Sequence, residues 1–203
     1  MCQRSVGPGL APGMAGSQSE LVQAQENGIK VAEAVAKFLE AQGIKHVFGV
    51  NGGANLHLIH GLADVTQIKF IPTTHECNAG FAADSYARLR GLGCAMATSG
   101  PGATNLVTAI SASYYDSVPV LYITGNVATF RFGAPLGVRQ YGFQETPIVE
   151  MVRPVTMWAE CVTKPEEVID ALSYALDAMN DRRKGPALVD IPDDVQRANI
   201  DYR

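Results

Sequence analysis

The sequence predicts an α/β fold in three layers: a six-stranded, mainly parallel sheet with helices on both of its faces. Strand-like and helix-like segments alternate from residue 28 to residue 192, at the lengths typical of βαβ units. No two strand-like segments are joined by a hairpin signal, which favours crossover connections. The runs CAMATS (94–99) and VPVLYITG (118–125) are almost entirely small or apolar, as in strands buried on both faces.

Each predicted element has its own local signal. In GIKVAEAVAKFLEAQG (28–43) the apolar residues Val31, Val35, Phe38 and Leu39 recur at helical spacing. We predict strands at HVFGV (46–50), KFIPT (69–73), CAMATS (94–99), VPVLYITG (118–125), TMWAEC (156–161) and PALVDIP (186–192). We predict further helices at NLHLIHGL (55–62), 76–91, GATNLVTAISASYYDS (102–117) and PEEVIDALSYALDAMND (165–181). Residues 126–142 are predicted to form a loop, and loops of this length are often functional.

Composition and charge limit the expected partners. With 47% hydrophobic and 18% charged residues, the chain is typical of a globular domain that is poor in charge, so part of its surface is expected to be an interface. A net charge of −4 without a run of Lys or Arg argues against nucleic acid or an anionic membrane as a partner. No apolar run approaches the roughly 20 residues of a membrane span.

Cysteine spacing and the first residues bear on location. The four cysteines lie far apart and form no CxxC pair, which argues against a zinc site and against a disulfide framework. Reduced cysteines fit a cytoplasmic protein. Residues 1–27 are rich in Gly, Pro, Gln, Ser and Ala and lack the apolar core of a secretory signal, so we expect a disordered leader before a single domain.

Four segments follow predicted strands, at the edge where parallel sheets bind ligands. They are NGGAN (51–55), THE (74–76), SGPGATN (99–105) and the loop at 126–145. Helix-capping residues in SGPGATN could leave backbone N–H groups free to face a ligand. The glycines of SGPGATN and NGGAN equally suit plain tight turns. The absence of GxxxxGK[ST], GxGxxG and GxSxG motifs argues against a P-loop, the usual dinucleotide fold and a serine hydrolase.

Glu76 stands at the start of a predicted helix whose next residues are mostly small or apolar. One interpretation is structural, because an acidic side chain in the first turn interacts favourably with the helix dipole. The other is functional: apolar surroundings raise the pKa of a carboxyl group, which can then hydrogen-bond to a ring nitrogen and pass protons. No metal site is predicted, since His57 and His60 lack a nearby third ligand.

Four longer segments together resemble one family. They are THECNAGFAADSYARLRG (74–91), TSGPGATNLVTAISASYYDSVPVLYITGN (98–126), GFQETPIVEMVRPVT (142–156) and GPALVDIPDDVQ (185–196). In this order and spacing they are similar to the N-terminal pyrimidine-binding (PYR) domain of thiamine-diphosphate-dependent enzymes of the acetolactate synthase group. The resemblance implies the flavodoxin-like PYR fold for residues 28–197 and the start of a linker at 198–203.

The resemblance also implies roles for individual residues. A family glutamate that matches Glu76 contacts a ring nitrogen of the cofactor's aminopyrimidine and activates the cofactor to its ylid. The other implied residues are cofactor-binding Gly53, Pro101, Gly102 and Asn105, and substrate-channel Ala54, Phe143, Gln144 and Arg139. The small residues that follow Glu76 are expected to let the cofactor and a second subunit approach the helix.

Cofactors and partners follow from the same resemblance. The family uses thiamine diphosphate with Mg²⁺, and a separate diphosphate-binding (PP) domain with a GDG motif, which this chain lacks, holds the metal. FAD is bound by some relatives but is not supported here. The expected partners are a PP domain or subunit, a second copy of the chain through the PYR surface, and a small 2-oxo acid. The implied activity is that of a carboligase or lyase, incomplete in this chain alone.

Two features leave the implied function open. The loop that ends in GVRQYGFQE (137–145) is longer than in ordinary acetolactate synthases, so Arg139 meets either an anionic substrate or a salt-bridge partner that tethers the loop. Without a GDG motif, the chain fits part of a decarboxylase or carboligase, the PYR subunit of a split 2-oxo-acid decarboxylase, or a catalytically silent PYR-only module that regulates or dimerises. Glu76 and the FQE residues weigh against the silent module.

Overall fold

A computed structural model describes residues 28–133 and 136–202; the predicted leader at 1–27, Ala134, Pro135 and Arg203 lie outside these ranges. The strands are β1 (Ile29–Lys30), β2 (His46–Gly49), β3 (Lys69–Pro72), β4 (Gly93–Ala97), β5 (Val120–Asn126), β6 (Trp158–Cys161), β7 (Ala187–Pro192) and β8 (Asn199–Ile200). The α-helices are α1 (Val31–Ala41), α2 (Leu56–Val65), α3 (Glu76–Arg90), α4 (Pro101–Asn105), α5 (Val107–Tyr115), α6 (Ile148–Val152), α7 (Val168–Asn180) and α8 (Asp193–Arg197).

Strands β2 to β7 form one sheet in the order β3-β2-β4-β5-β7-β6, and every neighbouring pair is parallel. The central strands β4, β5 and β7 are buried along their whole length. This confirms the predicted six-stranded parallel sheet, because strands covered on both faces carry the near-continuous apolar runs seen in the sequence.

Two apolar cores cover the two faces of the sheet. Helices α1, α2 and α7 supply one core, with Leu39, Leu58 and Leu172 fully or almost fully buried. Helices α3, α4, α5 and α6 supply the other, whose buried residues include Ala83 and Leu106. Helices therefore lie on both faces, as the three-layer prediction requires.

Two details differ from the predicted elements. The predicted helix at 102–117 divides at Leu106, whose N–H donates to the Ala103 carbonyl three residues back (3.1 Å), so α4 and α5 are separate helices. The predicted linker start at 198–203 contains β8, which pairs antiparallel with β1. Strands of two residues are too short to carry a periodic signal in the sequence.

The strand order fixes where a ligand crevice can open. From β2 the chain crosses to β3 on one side, and it then returns to β4 on the other side of β2. The connections after β2 and β4 therefore run in opposite directions, which makes their carboxyl ends a topological switch point. In the part of the chain that the structure covers, no helix combines the length and apolar character that a membrane crossing needs.

Candidate functional site

The start of α3 is fixed by a cap and a turn. His75 has extended backbone angles, and its Nδ1 accepts a hydrogen bond from the Cys77 N–H (3.2 Å). Thr73 Oγ1 donates to the His75 carbonyl (2.9 Å). His75 therefore acts as the N-terminal cap, and Glu76 is the first residue of the helix. The capping contacts determine where the Glu76 side chain leaves the backbone.

The Glu76 carboxylate is almost buried and is held from one side. Only 8% of the residue is exposed. Its Oε2 accepts a hydrogen bond from Asn105 Nδ2 at 2.9 Å, which joins α3 to the end of α4. A Cβ added to Gly102 would lie 3.3 Å from Glu76 Oε1 and 2.7 Å from Thr98 Cγ2. Glycine at position 102 therefore leaves the Oε1 side of the carboxylate uncrowded.

The small residues of α3 have an explanation within the chain. A Cβ on Gly80 would collide with the Cβ of Ala109 in α5, so glycine allows these two helices to pack closely. Ala79, Ala83 and Ala87 are buried on the same helix. Packing against Ala109 of the same chain is therefore enough to explain why residue 80 is glycine. The approach of a cofactor or a second subunit is not needed to explain it.

The turn after β4 touches the Phe143–Gln144 segment. Gly100 has a φ of +60°, and a Cβ placed there would lie 2.6 Å from the Gln144 Cβ. Gln144 itself has a φ of +62°. Position 100 therefore needs glycine both for its backbone conformation and for the close approach. Pro101, the first residue of α4, is exposed beside this contact.

Ala54 is held through both of its backbone groups. Its N–H donates to Thr98 Oγ1 (3.1 Å), and its carbonyl accepts a hydrogen bond from Gln196 Nε2 (2.6 Å). Gln196 is fully buried. A Cβ on Gly125 would overlap the same carbonyl, so β5 passes directly beneath it. The NGGAN segment is thus locked against β4, β5 and α8.

These segments enclose a pocket of about 360 Å³ above the switch point. Its lining includes Gly53, Ala54, Thr98, Ser99, Phe143 and Gln144. Thr98 also lies next to Gly102, which in turn lies beside Glu76. Gly53, Ala54, Phe143 and Gln144 thus line this pocket, whereas Glu76, Pro101, Gly102 and Asn105 are outside its lining and Arg139 lines a different pocket.

Glu145 shapes the long loop that carries Phe143 and Gln144. Its Oε1 accepts from the Gly133 N–H (2.7 Å), and its Oε2 accepts from the N–H groups of Tyr141 (2.9 Å) and Gly142 (3.2 Å). Burial alone would raise the pKa of this carboxyl, but the three backbone donors outweigh burial and lower it. The bonds close the loop just before Phe143, which is 81% exposed.

Arg139 lies at a different pocket, of about 780 Å³, beside α6 and the ends of β6 and β7. Asn126 lines both pockets. The floor of the larger pocket includes the buried Asp190, which accepts hydrogen bonds from Thr124 Oγ1 (2.7 Å) and Asn126 Nδ2 (2.6 Å). Burial raises the pKa of Asp190 to about 6, although its hydrogen bonds with Thr124, Asn126 and Cys161 act in the opposite direction.

Sequence reasoning missed several residues that build the site: Thr98, Asn126, Glu145, Asp190 and Gln196. All five lie in the segments that carry the resemblance, but each acts through a partner that is distant in the sequence or through backbone N–H groups, so the sequence does not show its contacts. In the FQE triplet, the resemblance implies roles for Phe143 and Gln144 only. The signal in the sequence for Glu145 is its position at the end of a long loop. Within the described ranges, no group of three or more His, Cys, Asp or Glu could hold a metal ion.

Comparison with known proteins decides the family. Residues 29–151 match the family described as thiamine pyrophosphate enzyme, N-terminal TPP binding domain. The chain belongs to the thiamine pyrophosphate enzymes. The match includes β2 to β5 and the segments around Glu76, Asn105 and Gln144, so the family region supplies most of the lining of the pocket at the switch point; Asp193 and Arg197 of α8 complete it.

Three relatives of this thiamine pyrophosphate enzyme domain are acetolactate synthase large subunits. The chain is 41% identical over 174 residues to the probable acetolactate synthase large subunit of Methanocaldococcus jannaschii, covering 85% of this chain and 28% of that protein. It is 41% identical to the acetolactate synthase large subunit of Corynebacterium glutamicum (84% and 26%), and 42% identical to the acetolactate synthase isozyme 1 large subunit of Escherichia coli (82% and 29%). The chain thus spans between a quarter and a third of the length of these relatives.

Proposed function

We propose that this chain is the pyrimidine-binding part of a thiamine-diphosphate-dependent 2-oxo-acid decarboxylase or carboligase similar to acetolactate synthase, in which Glu76 activates the cofactor. The observation that carries the proposal is the burial of the Glu76 carboxylate and the hydrogen bonding of its two oxygens. It is almost buried, Asn105 holds one oxygen, and the other oxygen faces the space that Gly102 leaves open. A carboxyl group placed in this way can hold a proton for a ring nitrogen.

The described residues fit one half of the cofactor. Glu76, Asn105 and the open side of Gly102 suit an aminopyrimidine, which presents ring nitrogens and an amino group for hydrogen bonds. By the resemblance to acetolactate synthases, we propose that a PP domain or subunit supplies the metal and holds the diphosphate. FAD is not part of the proposal.

The site residues of this chain have separate roles in the proposed reaction. Thiamine diphosphate, when bound, supplies the electron sink for cleavage of a 2-oxo acid. Glu76 Oε1 would face a pyrimidine nitrogen and would exchange a proton with it. Asn105 Nδ2 fixes Oε2 and so orients the carboxyl plane. Gly53, Pro101 and Gly102 form the backbone around the pyrimidine end.

The remaining predicted residues are proposed to act on the substrate side. Ala54, Phe143 and Gln144 line the pocket at the switch point, where a small 2-oxo acid would approach. The exposed Phe143 ring would exclude water once a second domain covers this edge, because burying an apolar side chain is favourable. Gln144 offers an amide for an oxygen of the substrate.

A second copy of the chain is a further proposed partner. Helices α3 and α5 leave the large apolar side chains of Phe81, Leu89 and Tyr115 exposed on the surface, by 42%, 85% and 68%. Exposed apolar side chains of this size, grouped on adjacent helices, are typical of interaction sites. We propose that this PYR surface forms the homo-oligomer contact.

The test of the function is a chimera. Residues 28–197 would replace the matched part of the Corynebacterium glutamicum large subunit, and pyruvate consumption would be measured with and without Glu76→Gln. We expect the substitution to lower turnover by at least roughly 100-fold, the scale of positioned acid–base catalysis. The control is Glu166→Gln, which removes an exposed carboxylate far along the chain and should leave turnover unchanged. Near-normal turnover of Glu76→Gln would refute the assignment.

If the chimera shows no activity, a second measurement tests whether the chain binds the pyrimidine part of the cofactor. Backbone NMR of the 203-residue chain, titrated with thiamine, should shift Gly102 and Asn105, and Glu76→Gln should remove the shifts. Shifts without any activity in the chimera would favour the silent PYR-only module. Shifts at a site without Glu76 would overturn the proposed pyrimidine site. Activity restored only by an unfused PP subunit would identify a split decarboxylase.

A further inference from the structure

The pocket beside α6 is a distinct cavity that the proposed function does not use. Its volume, about 780 Å³, lies within the range of small-molecule sites and exceeds that of the pocket at the switch point. It opens between α6, the carboxyl ends of β6 and β7, and the loop that holds Val138 and Arg139. Glu76 and Asn105 are not part of its lining.

The wall of this pocket on the α6 side is apolar. Ala159 and Cys161 of β6 belong to the same core as Ile148 and Val149 of α6, whereas Trp158 packs against the opposite core. Side chains alternate along a strand, so Glu160 shares the face of Trp158. The Glu160 carboxylate is thus directed away from the wall that Ala159 and Cys161 form with α6.

The other carboxylates of the lining already have partners. Both oxygens of Glu145 accept backbone N–H groups. Glu150 pairs with Arg153 at 3.2 Å. Asp190 accepts hydrogen bonds from two neighbours, Thr124 and Asn126, at 2.7 and 2.6 Å.

On the α6 side of the pocket, Arg139 differs from the other charged residues of the lining, which have partners. It is exposed, and no hydrogen bond or ion pair joins it to another residue of the described ranges. A guanidinium group keeps its charge at every physiological pH and presents a planar set of donors that matches a carboxylate. An unpaired Arg beside an apolar wall therefore favours an anion that also carries an apolar body.

We propose that this pocket binds a small organic carboxylate with an apolar body, whose carboxylate pairs with Arg139 while its body lies against Ile148, Val149 and Ala159. The site goes beyond the proposed function, because it requires neither thiamine diphosphate nor Glu76. It also assigns Arg139 to a pocket of its own rather than to the substrate channel.

The experiment is a calorimetric titration of the 203-residue chain with phenylbutyrate as the probe. Its uncharged amide, phenylbutanamide, has the same apolar body and serves as the matched ligand. We expect saturable binding of phenylbutyrate, and Arg139→Gln should weaken it roughly tenfold or more, as for a charge-assisted hydrogen bond, while barely changing the amide. The control is Arg131→Gln, which removes an exposed arginine from the other pocket and should leave both affinities unchanged.

Backbone NMR locates the probe. The amide signals of Val149 and Ala159, which contribute to the lining, should shift with the same midpoint as the heat. The proposal is overturned if phenylbutyrate shows no saturable binding at millimolar concentrations, if the amide binds as tightly as the acid, or if Arg131→Gln weakens binding as much as Arg139→Gln. Glu76→Gln should leave this binding intact, which separates a failure of this site from a failure of the proposed function.

Discussion

Glu76 and Asp190 are two almost fully buried carboxylates at the same edge of the sheet, and their surroundings differ. Glu76 has one hydrogen-bond donor, Asn105, on Oε2, and a glycine leaves the side of Oε1 open. Asp190 has donors on both oxygens, Thr124 on Oδ1 and Asn126 on Oδ2, and is 1% exposed. Glu76 thus has an oxygen free to bind a ligand, whereas both oxygens of Asp190 join β7 to β5.

The difference separates a functional acid from a structural one. A buried polar group that is fully paired contributes to a unique packing, and its loss leaves donors unpaired. A buried carboxylate with an unpaired oxygen costs stability unless a ligand pairs with it. We therefore expect substitutions at Asp190 to change stability, and substitutions at Glu76 to change chemistry.

The largest stability effect is expected for Asp190→Ala. It leaves the Thr124 hydroxyl and the Asn126 amide buried without their acceptor and adds a cavity, so the free energy of unfolding should fall by roughly 3 to 5 kcal/mol. Urea denaturation measures it. Asp177→Ala, at an exposed aspartate of α7, should stay within about 0.5 kcal/mol of the parent chain. If Asp190→Ala lowers the free energy of unfolding by no more than Glu76→Ala does, Asp190 is not the structural carboxylate of the two.

The pH dependence of stability should follow Asp190. Its folded-state pKa is raised from 3.8 to about 6, so the folded state binds the proton more tightly than the unfolded state does. Stability from this group is therefore present below about pH 4 and is lost as pH rises to about 6, with a total of about 2 to 3 kcal/mol.

Asp190→Asn mimics the protonated carboxyl and should remove that loss. The measurement is the difference between the unfolding free energies of the parent chain and the variant from pH 4 to pH 7. Glu145 contributes the opposite sign, because its lowered pKa gives stability that is lost as pH falls, but it is present in both chains and cancels. A difference that is flat across this window would contradict the assignment.

A smaller effect is expected for Glu145→Gln. An amide nitrogen cannot accept a hydrogen bond, so at least one of the three loop contacts is lost, at about 1 kcal/mol each. The loop should open more often, and trypsin should cut after the exposed Arg139 several-fold faster. Glu150→Gln, which affects only an exposed ion pair, should leave the rate unchanged. Equal cleavage rates for the two variants would show that Glu145 does not hold the loop.

The smallest expected effect is that of Asn105→Ala on cofactor recognition. It removes the donor to Glu76 Oε2, so the carboxyl plane is no longer fixed and the affinity of the chain for thiamine should fall roughly fivefold. NMR titration measures the affinity. Thr108→Ala, at an exposed position of α5, is the control. An unchanged affinity would show that Asn105 does not orient Glu76 for the ligand.

The fold was largely predictable because its signals are local. Apolar runs such as CAMATS, stops such as Gly43 and Gly91, and the absence of hairpin turns lead directly to a parallel sheet with helices on both faces. The division of the predicted helix at Leu106 was not predictable, since the switch to a hydrogen bond three residues back has no residue-type signature here.

The segments of the site were predictable, whereas the contacts between them were not. Glu76, Gly102, Asn105 and Gln144 lie in segments that a family resemblance marks, and the structure brings them together. Asp190 and Asn126 are 64 residues apart in sequence, so only the sheet order makes them neighbours. Gln196 reaches the Ala54 carbonyl across 142 residues. Arg139 lines a different pocket from Phe143 and Gln144, and its place in the substrate channel stays a prediction.

The most direct test of the central claim is proton exchange at the thiazolium ring of bound thiamine diphosphate in the chimera, followed by NMR in deuterium oxide without substrate. Exchange reports activation of the cofactor alone, whatever the acceptor. We predict that Glu76→Gln slows it by at least roughly 100-fold while Asp190→Asn leaves it close to the parent rate. Exchange in Glu76→Gln at the parent rate would contradict the account, because the buried carboxylate would then have no part in activation.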